Sequence, residues 1–198
     1  MEHYYTSDPA SEHHYHRVNF NLKGQTLSFT TDSGVFSRDG VDFGTQLMIE
    51  SLPPLSGTVL ELGCGWGALS IPLALLNPAA AFTCVDVNRR ALELCVKNAA
   101  DLGVKADIFE SDGFAAVEGM GYDAIITNPP IRAGKSVYYP WFEESWKRLK
   151  PGGLFACVAQ KKQGAPSIKN ELTRIFGNCE VIARDAGYWI ITAVKEVT

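Results

Sequence analysis

The sequence predicts an α/β fold: a doubly wound, mostly parallel seven-stranded sheet with an antiparallel last strand and an N-terminal β-hairpin extension. Three observations predict it. From Thr58 onward, short β-rich runs alternate with longer helical ones, the pattern of parallel strands joined by right-handed crossovers. The last two β-rich runs are separated by little more than Ala186-Gly187, too short for a crossover, so they form an antiparallel hairpin. Before the alternation begins, V-N-F-N-L-K-G-Q-T-L-S-F-T-T-D (18–32) switches between apolar and polar residues about a K-G-Q turn, which reads as a separate hairpin.

After that hairpin, D-F-G-T-Q-L-M-I-E-S-L (42–52) reads as a short helix leading to Pro53-Pro54. T-V-L-E-L (58–62) is a buried strand, and A-L-S-I-P-L-A-L-L (68–76) a helix that opens from a glycine turn. A-F-T-C-V-D-V (81–87) is a strand. The helix over 89–102 carries apolar residues at helical spacing and stops at Gly103, a residue suited to the left-handed C′ position. Strands follow at 105–110 and 122–127, then a helix over 137–150 ended by P-G-G, a strand at 154–159 and a helix around 167–176. Strands at 179–184 and 188–194 close the chain. Residues 1–54 form an extension, hairpin plus short helix, that belongs to the same folding unit as the domain over 55–198.

A chain of 198 residues with 46% hydrophobic content is sized for one domain with a real core, and no segment reaches the length of a membrane span. The polar start M-E-H-Y-Y-T-S-D-P lacks an apolar signal core. Five cysteines are scattered with no C-x-x-C pair, which fits reduced thiols in a cytoplasmic protein. The net charge of −4 excludes a globally basic nucleic-acid coat, so any nucleic-acid contact needs a local patch. K-R-L-K (147–150) and Q-K-K-Q (160–163) are the candidates. Three histidines fall within E-H-H-Y-H-R (12–17), but no cysteine or second acidic cluster is placed to complete a metal site, and none is assigned.

E-L-G-C-G-W-G (61–67) follows a buried strand and opens a helix. Gly63 and Gly65 permit a sharp turn and close approach of backbone to a ligand across the strand end. Glu61 would repel a pyrophosphate and suits a cationic ligand. No Gly-Lys-Ser/Thr follows, and G-x-G-x-G differs from the dinucleotide spacing. Asp86 ends the next strand, where an acid accepts from ribose hydroxyls. Asp112, in S-D-G-F (111–114), ends the third, where it would accept from an adenine amine beside Gly113 and Phe114. Acids at three successive strand ends make a constellation.

This set resembles the class I S-adenosylmethionine-dependent methyltransferases, whose fold is Rossmann-like. The resemblance implies S-adenosyl-L-methionine as cofactor, with Glu61, Gly63, Cys64, Gly65 and Gly67 around its methionine end. Asp86 with Val87 would hold the ribose, and Asp112 with Gly113 the adenine. K-P-G-G-L-F (150–155) resembles the turn into that family's fifth strand.

The fourth strand ends in T-N-P-P-I-R, so Asn128, Pro129 and Pro130 lie at the carboxyl edge where ligands of such sheets bind. Two prolines make a stiff, extended segment, whose useful groups are two acceptors, the Asn128 side-chain oxygen and the Pro129 carbonyl. Fixed acceptors suit a planar, conjugated amine: as a methyl group arrives, its hydrogens become acidic and the acceptors stabilise the developing positive charge. Asn128 is thus read as catalytic and as touching the cofactor, with Pro129 and Pro130 holding it in place.

Amino-methyltransferases of this type commonly carry an aromatic after the two prolines; here the residue is Ile131. The strings T-N-P-P-I-R-A-G-K (127–135), G-V-F-S-R-D-G-V-D-F-G-T (34–45) and Q-K-K-Q-G-A-P-S (160–167) together resemble the RsmC-type methyltransferases. That resemblance implies transfer to the exocyclic N2 amine of a guanine in small-subunit (16S) ribosomal RNA, with the RNA or the small ribosomal subunit as partner. Some relatives carry a second, inactive methyltransferase-like domain, for which this chain is too short. Phe36 would stack on the target base or cover the cofactor, beside Ile131. D-F-G-T (42–45) would put backbone groups near the methionine carboxylate. Arg132 and Lys135 would meet phosphates of an extruded nucleotide, with Lys161 and Lys162 as a second anchor. Two alternatives stay open: transfer to a glutamine side-chain amide of a protein, which poses the same planar-nitrogen problem, and a cofactor-binding module without catalysis.

Overall fold

The computed structural model describes residues 7, 9 and 11–197. The polar start lacking a signal core therefore lies mostly outside the described residues. The first hairpin pairs β1 (His16–Leu22) with β2 (Gln25–Thr31) as a two-stranded sheet of its own. Leu22 opposes Gln25, leaving Lys23-Gly24 as a two-residue turn with φ of 48° and 88°, the paired positive values that match strand twist. Phe20, Leu22, Leu27 and Phe29 are buried on one face of it.

Helix α1 (Phe43–Ser51) follows. The alternation then runs β3 (Gly57–Leu62), α2 (Ser70–Leu76), β4 (Ala80–Asp86), α3 (Arg89–Asp101), β5 (Ala106–Glu110) and β6 (Tyr122–Thr127). It continues through α4 (Lys135–Arg148), β7 (Leu149–Gln160), α5 (Ala165–Phe176), β8 (Glu180–Asp185) and β9 (Tyr188–Val194). Single 3₁₀ turns at Ile131–Ala133 and Lys161–Gln163 introduce α4 and α5.

The seven strands lie in the order β5-β4-β3-β6-β7-β9-β8. All pairings up to β7 are parallel, and β9 runs antiparallel to both β7 and β8. The chain winds outward in both directions from β3, so β3 and β6 flank the switch point whose carboxyl side opens a crevice. Alternate side chains of the strands feed two cores. Val59, Phe82 and Ile126 meet the hairpin, α1, α2 and α3, whereas Leu60, Ile125 and Phe155 meet α4 and α5. Phe29 and Met48 are fully buried in the first core, so the N-terminal elements share it with the sheet.

Several boundaries differ from the sequence reading. Helix α4 starts at Lys135, and β7 starts at Leu149 rather than 154, so that P-G-G lies inside the strand. The Gly152 N–H donates to the Lys195 carbonyl at 2.7 Å and the Lys195 N–H to Gly153 at 3.0 Å, so pairing to the chain beyond β9 carries the strand past its turn residues. Likewise α2 begins at Ser70, because Gly67 at φ 92° holds the chain in the turn. Among the described residues no helix is long and apolar enough to cross a membrane.

Candidate active site

Over the carboxyl ends of β3, β4 and β6 lies a cleft of about 730 Å³, its open mouth included, lined by residues of all three strand ends and of the 36–45 segment. The glycine turn builds its floor. The Gly63 and Cys64 N–H groups donate to the Val85 carbonyl at 2.8 and 3.0 Å, which ties the turn to β4. Gly63, Gly65 and Gly67 have φ of 70°, 55° and 92°, open to glycine at little cost. A Cβ at Gly67 would stand 2.4 Å from Ile71 Cδ1, whereas one at Gly65 would meet nothing within 4 Å. Gly67 is thus required for packing, and Gly65 leaves room on the cleft side.

Asp86 braces this turn. Its Oδ2 accepts from the Gly65 N–H and its Oδ1 from the Asn88 N–H, both at 2.8 Å. The Val87 N–H adds a third backbone donor, which leaves the carboxylate acceptor capacity for a ligand. Burial pushes its carboxyl above the usual range, against those backbone donors.

Glu61 is the unusual group. It is 1% exposed, lines the cleft, and its Oε2 has no hydrogen-bond partner. Burial pushes the carboxyl up to about 8, against the opposing influence of the neighbouring Ser70 and with the nearby Asp86 charge adding to it. A buried acid with an orphan oxygen facing a cavity is built to receive a donor that carries positive charge.

Asn128 stands opposite. Its Nδ2 donates to Thr45 Oγ1 at 3.1 Å and approaches Asp42 Oδ2 at 3.5 Å. Asp42 caps α1, accepting from the Thr45 N–H at 3.1 Å and the Thr45 hydroxyl at 2.6 Å. The amide nitrogen is therefore engaged by the α1 cap, and the amide oxygen is left to the cleft. Sequence reading gave D-F-G-T a backbone role and missed this side-chain link; its local signal was Asp three residues before Thr at a helix start.

The Asn-Pro-Pro segment departs from the stiff, extended form expected. Pro130 has φ −74° and ψ 74°, and the Ile131 N–H donates to the Pro129 carbonyl at 2.8 Å, an inverse γ-turn. The Pro129 carbonyl thus has one acceptor direction engaged, because the chain must bend at once into the turn before α4.

Phe36 lies on the rim, 44% exposed, on a loop fastened from three sides. Trp66 Nε1 donates to the Phe36 carbonyl at 2.9 Å, Asn88 Nδ2 to Gly34 at 3.0 Å and Thr31 Oγ1 to Arg38 at 2.5 Å. Of the aromatics on α4, Tyr138 is 1% exposed in the second core, whereas Trp141 lines the cleft.

Not every expected residue joins. Asp112 lines an adjoining groove with Phe114, on the far side of Trp141. Gly113 packs under that ring, where a Cβ would lie 2.3 Å from Trp141 Nε1. Val87 lines neither space. Ile131 is half-buried and Arg132 exposed, both outside the cleft wall, and Lys135 lies over the Tyr139 ring at 5.5 Å. The histidine segment stays on the surface, but one of its rings has a partner: the exposed His13 Nδ1 meets the buried Asp32 at 2.5 Å. Burial of Asp32 is outweighed by hydrogen bonds from His13, His14 and Ser33, which hold its carboxyl below the usual range.

Comparison with known proteins agrees with this architecture. The methyltransferase small domain family matches residues 26–192. The uncharacterized protein YbxB of Bacillus subtilis is 41% identical over 98% of both chains. The ribosomal RNA small subunit methyltransferase C of Shewanella loihica is 41% identical over 79% of this chain and 46% of its own. A solved structure of the Thermus thermophilus 16S rRNA N2 G1207 methyltransferase RsmC, in complex with AdoMet and guanosine, superposes with a TM-score of 0.83 at 27% identity. That match covers 95% of this chain and 52% of the other, so the chain spans about half the length of the ribosomal RNA methyltransferases it matches. The chain belongs to the methyltransferase small domain family, on the Rossmann-like methyltransferase fold.

Proposed function

We propose that this protein is an S-adenosylmethionine-dependent methyltransferase acting on the exocyclic N2 amine of a guanine in small-subunit ribosomal RNA. The observation that carries the reading is the division of labour in Asn128: its nitrogen is engaged by Asp42 and Thr45, which leaves its oxygen for a cleft that a buried, half-unpaired Glu61 also lines. S-adenosylmethionine, when bound, supplies an electrophilic methyl group and an ammonium. Glu61 fits that ammonium, since its orphan oxygen lacks a donor and a cation beside it would offset the burial that disfavours its charged form. Asp86 fits the ribose through its remaining acceptor directions. Asp112 is set to reach an adenine only past Trp141.

At the acceptor, the Asn128 oxygen takes a hydrogen bond from the exocyclic amine and holds the nitrogen toward the methyl group. It stabilises the positive charge that develops there, and the proton then leaves to water. The Pro129 carbonyl contributes its remaining direction. With Ile131 in place of an aromatic and set back from the cleft, Phe36 is the ring available to stack on an extruded base. Arg132 and Lys135 follow the loop on the exposed side, suited to its phosphates. The ribosomal RNA methyltransferases among the relatives support RNA as the substrate, within a cytoplasmic small subunit or its precursor. We read residues 1–54 and 55–198 as one working unit, because the rim at 36–45 and the cap on Asn128 come from the first.

The test is labelled-methyl transfer to unmodified small ribosomal subunits, protein-free ribosomal RNA and a release-factor protein, with wild type and Asn128→Ala. Label recovered as N2-methylguanine and lost in the variant is the expected result. Label on the protein would instead mean that the loop reads a glutamine amide.

A further inference from the structure

Beside the cleft lies a surface that the chemistry above leaves unused. Asp42 and Thr45 line the cleft, but Phe43 between them turns away, 41% exposed, with its ring 5.7 Å from that of Tyr188 and tilted by 41°. Gly44 makes that contact possible: a Cβ there would lie 2.7 Å from the Tyr188 ring. Tyr188 opens β9 opposite Gln160, the last residue of β7. The Lys161 N–H donates to Gly187 at 2.8 Å, which fastens the Lys161-Lys162 turn to the residue before Tyr188.

Both lysines are exposed, and among the described residues neither has a carboxylate partner. Lys97, Lys147 and Lys150 do have one, in Asp101, Glu144 and Asp123. The acid on the β8–β9 turn, Asp185, accepts the Ala186 N–H at 2.7 Å. The rim therefore offers two half-exposed rings next to two unpaired cations, one residue away from the Asp42-Thr45-Asn128 link.

We propose that this patch binds a nucleotide adjacent to the methylated guanine, its base stacked on Phe43 and Tyr188 and its phosphate held by Lys161 and Lys162. The proposal rests on the RNA reading above and deepens it. Stacking with backbone charge is the sequence-tolerant way to hold an unpaired strand. Held there, a neighbouring nucleotide fixes the strand while its partner swings into the cleft.

The test uses the full chain and the RNA fragment around the guanine that takes the label, with each neighbouring nucleotide replaced in turn by an abasic one. Phe43→Ala is expected to raise KM about tenfold, with kcat and cofactor affinity unchanged, while Phe43→Trp keeps the wild-type KM. One abasic position should raise the wild-type KM by a similar factor and have no further effect in Phe43→Ala. Lys161→Ala with Lys162→Ala should make the salt dependence of RNA binding shallower by about one to two charges. An unchanged KM in Phe43→Ala, or a loss confined to kcat, overturns the patch while leaving the enzyme's reaction standing. Absence of guanine methylation by wild type on any RNA removes the RNA reading, and this patch with it.

Discussion

Asn128 shows how one side chain acquires a direction. An amide offers a donor end and an acceptor end of nearly the same shape, and only its surroundings choose which faces the substrate. Here Thr45 and Asp42 take the donor end. Asn128→Ala should lower kcat by raising the barrier roughly 2–4 kcal/mol, comparable to the loss of one oxyanion-hole donor. Thr45→Val keeps the volume but removes the hydroxyl that orients the amide. It is expected to lower kcat by about tenfold, the worth of roughly one hydrogen bond, and calorimetric titration with S-adenosylmethionine should show the same Kd as wild type. Glu61 makes a different prediction. The unliganded acid is mostly protonated below about 8, and a cationic ligand favours the carboxylate. Cofactor binding should therefore tighten as pH rises from 6 toward 8 and level off above, and the dependence should flatten in Glu61→Gln.

At the scale of elements, polar side chains inside helices do the joining. Asn98, in the last turn of α3, is fully buried, accepts the Thr30 N–H at 2.8 Å and donates to the Thr30 and Trp66 carbonyls, both at 2.9 Å. One residue thus fastens the first hairpin to the glycine turn. Its replacement by Leu would strand the partners of three hydrogen bonds, one of them buried and two part-buried, at a cost of about 2–5 kcal/mol. Urea denaturation should show that loss, with a matching fall in cofactor affinity because Trp66 and the Phe36 loop loosen together. In the sequence, Asn98 looked like an ordinary polar residue in a long amphipathic helix. Nothing local said that β2 would lie against it. The strand and helix periods, by contrast, were local, which is why every element of the sheet was found and only its ends moved.

For the whole molecule, the balance is between a stable fold and a charged site. The Glu61 carboxyl is raised from 4.5 to about 8 by burial, so the fold favours its protonated form. That contribution is fully present below pH 4.5 and is lost as pH rises through about 8. The unliganded protein should therefore lose stability, on the order of a few kcal/mol, between pH 5 and 8. Thermal melts of Glu61→Gln should show a smaller decline, and the cofactor should restore the wild type at pH 8 but not the variant. An equal pH dependence in both proteins would place the effect elsewhere.

The doubly wound sheet, its antiparallel end, the separate hairpin and the strand-end acids could all be read from the chain, because hydrophobic period, turn residues and glycine spacing act over a few neighbouring positions. The grouping of Glu61, Gly65, Asp86 and Asn128 followed as well, since parallel strands of one sheet must deliver their carboxyl ends to one edge. Other features came only with folding. The Asp42–Asn128 link joins residues 86 positions apart. The bend at Pro130, the ring of Trp141 between Asp112 and the cleft, and the meeting of Phe43 with Tyr188 depend likewise on how α1, α4 and β9 pack. Side-chain direction across such distances is set by competition for space and hydrogen-bond partners in the finished core, and no local pattern encodes it.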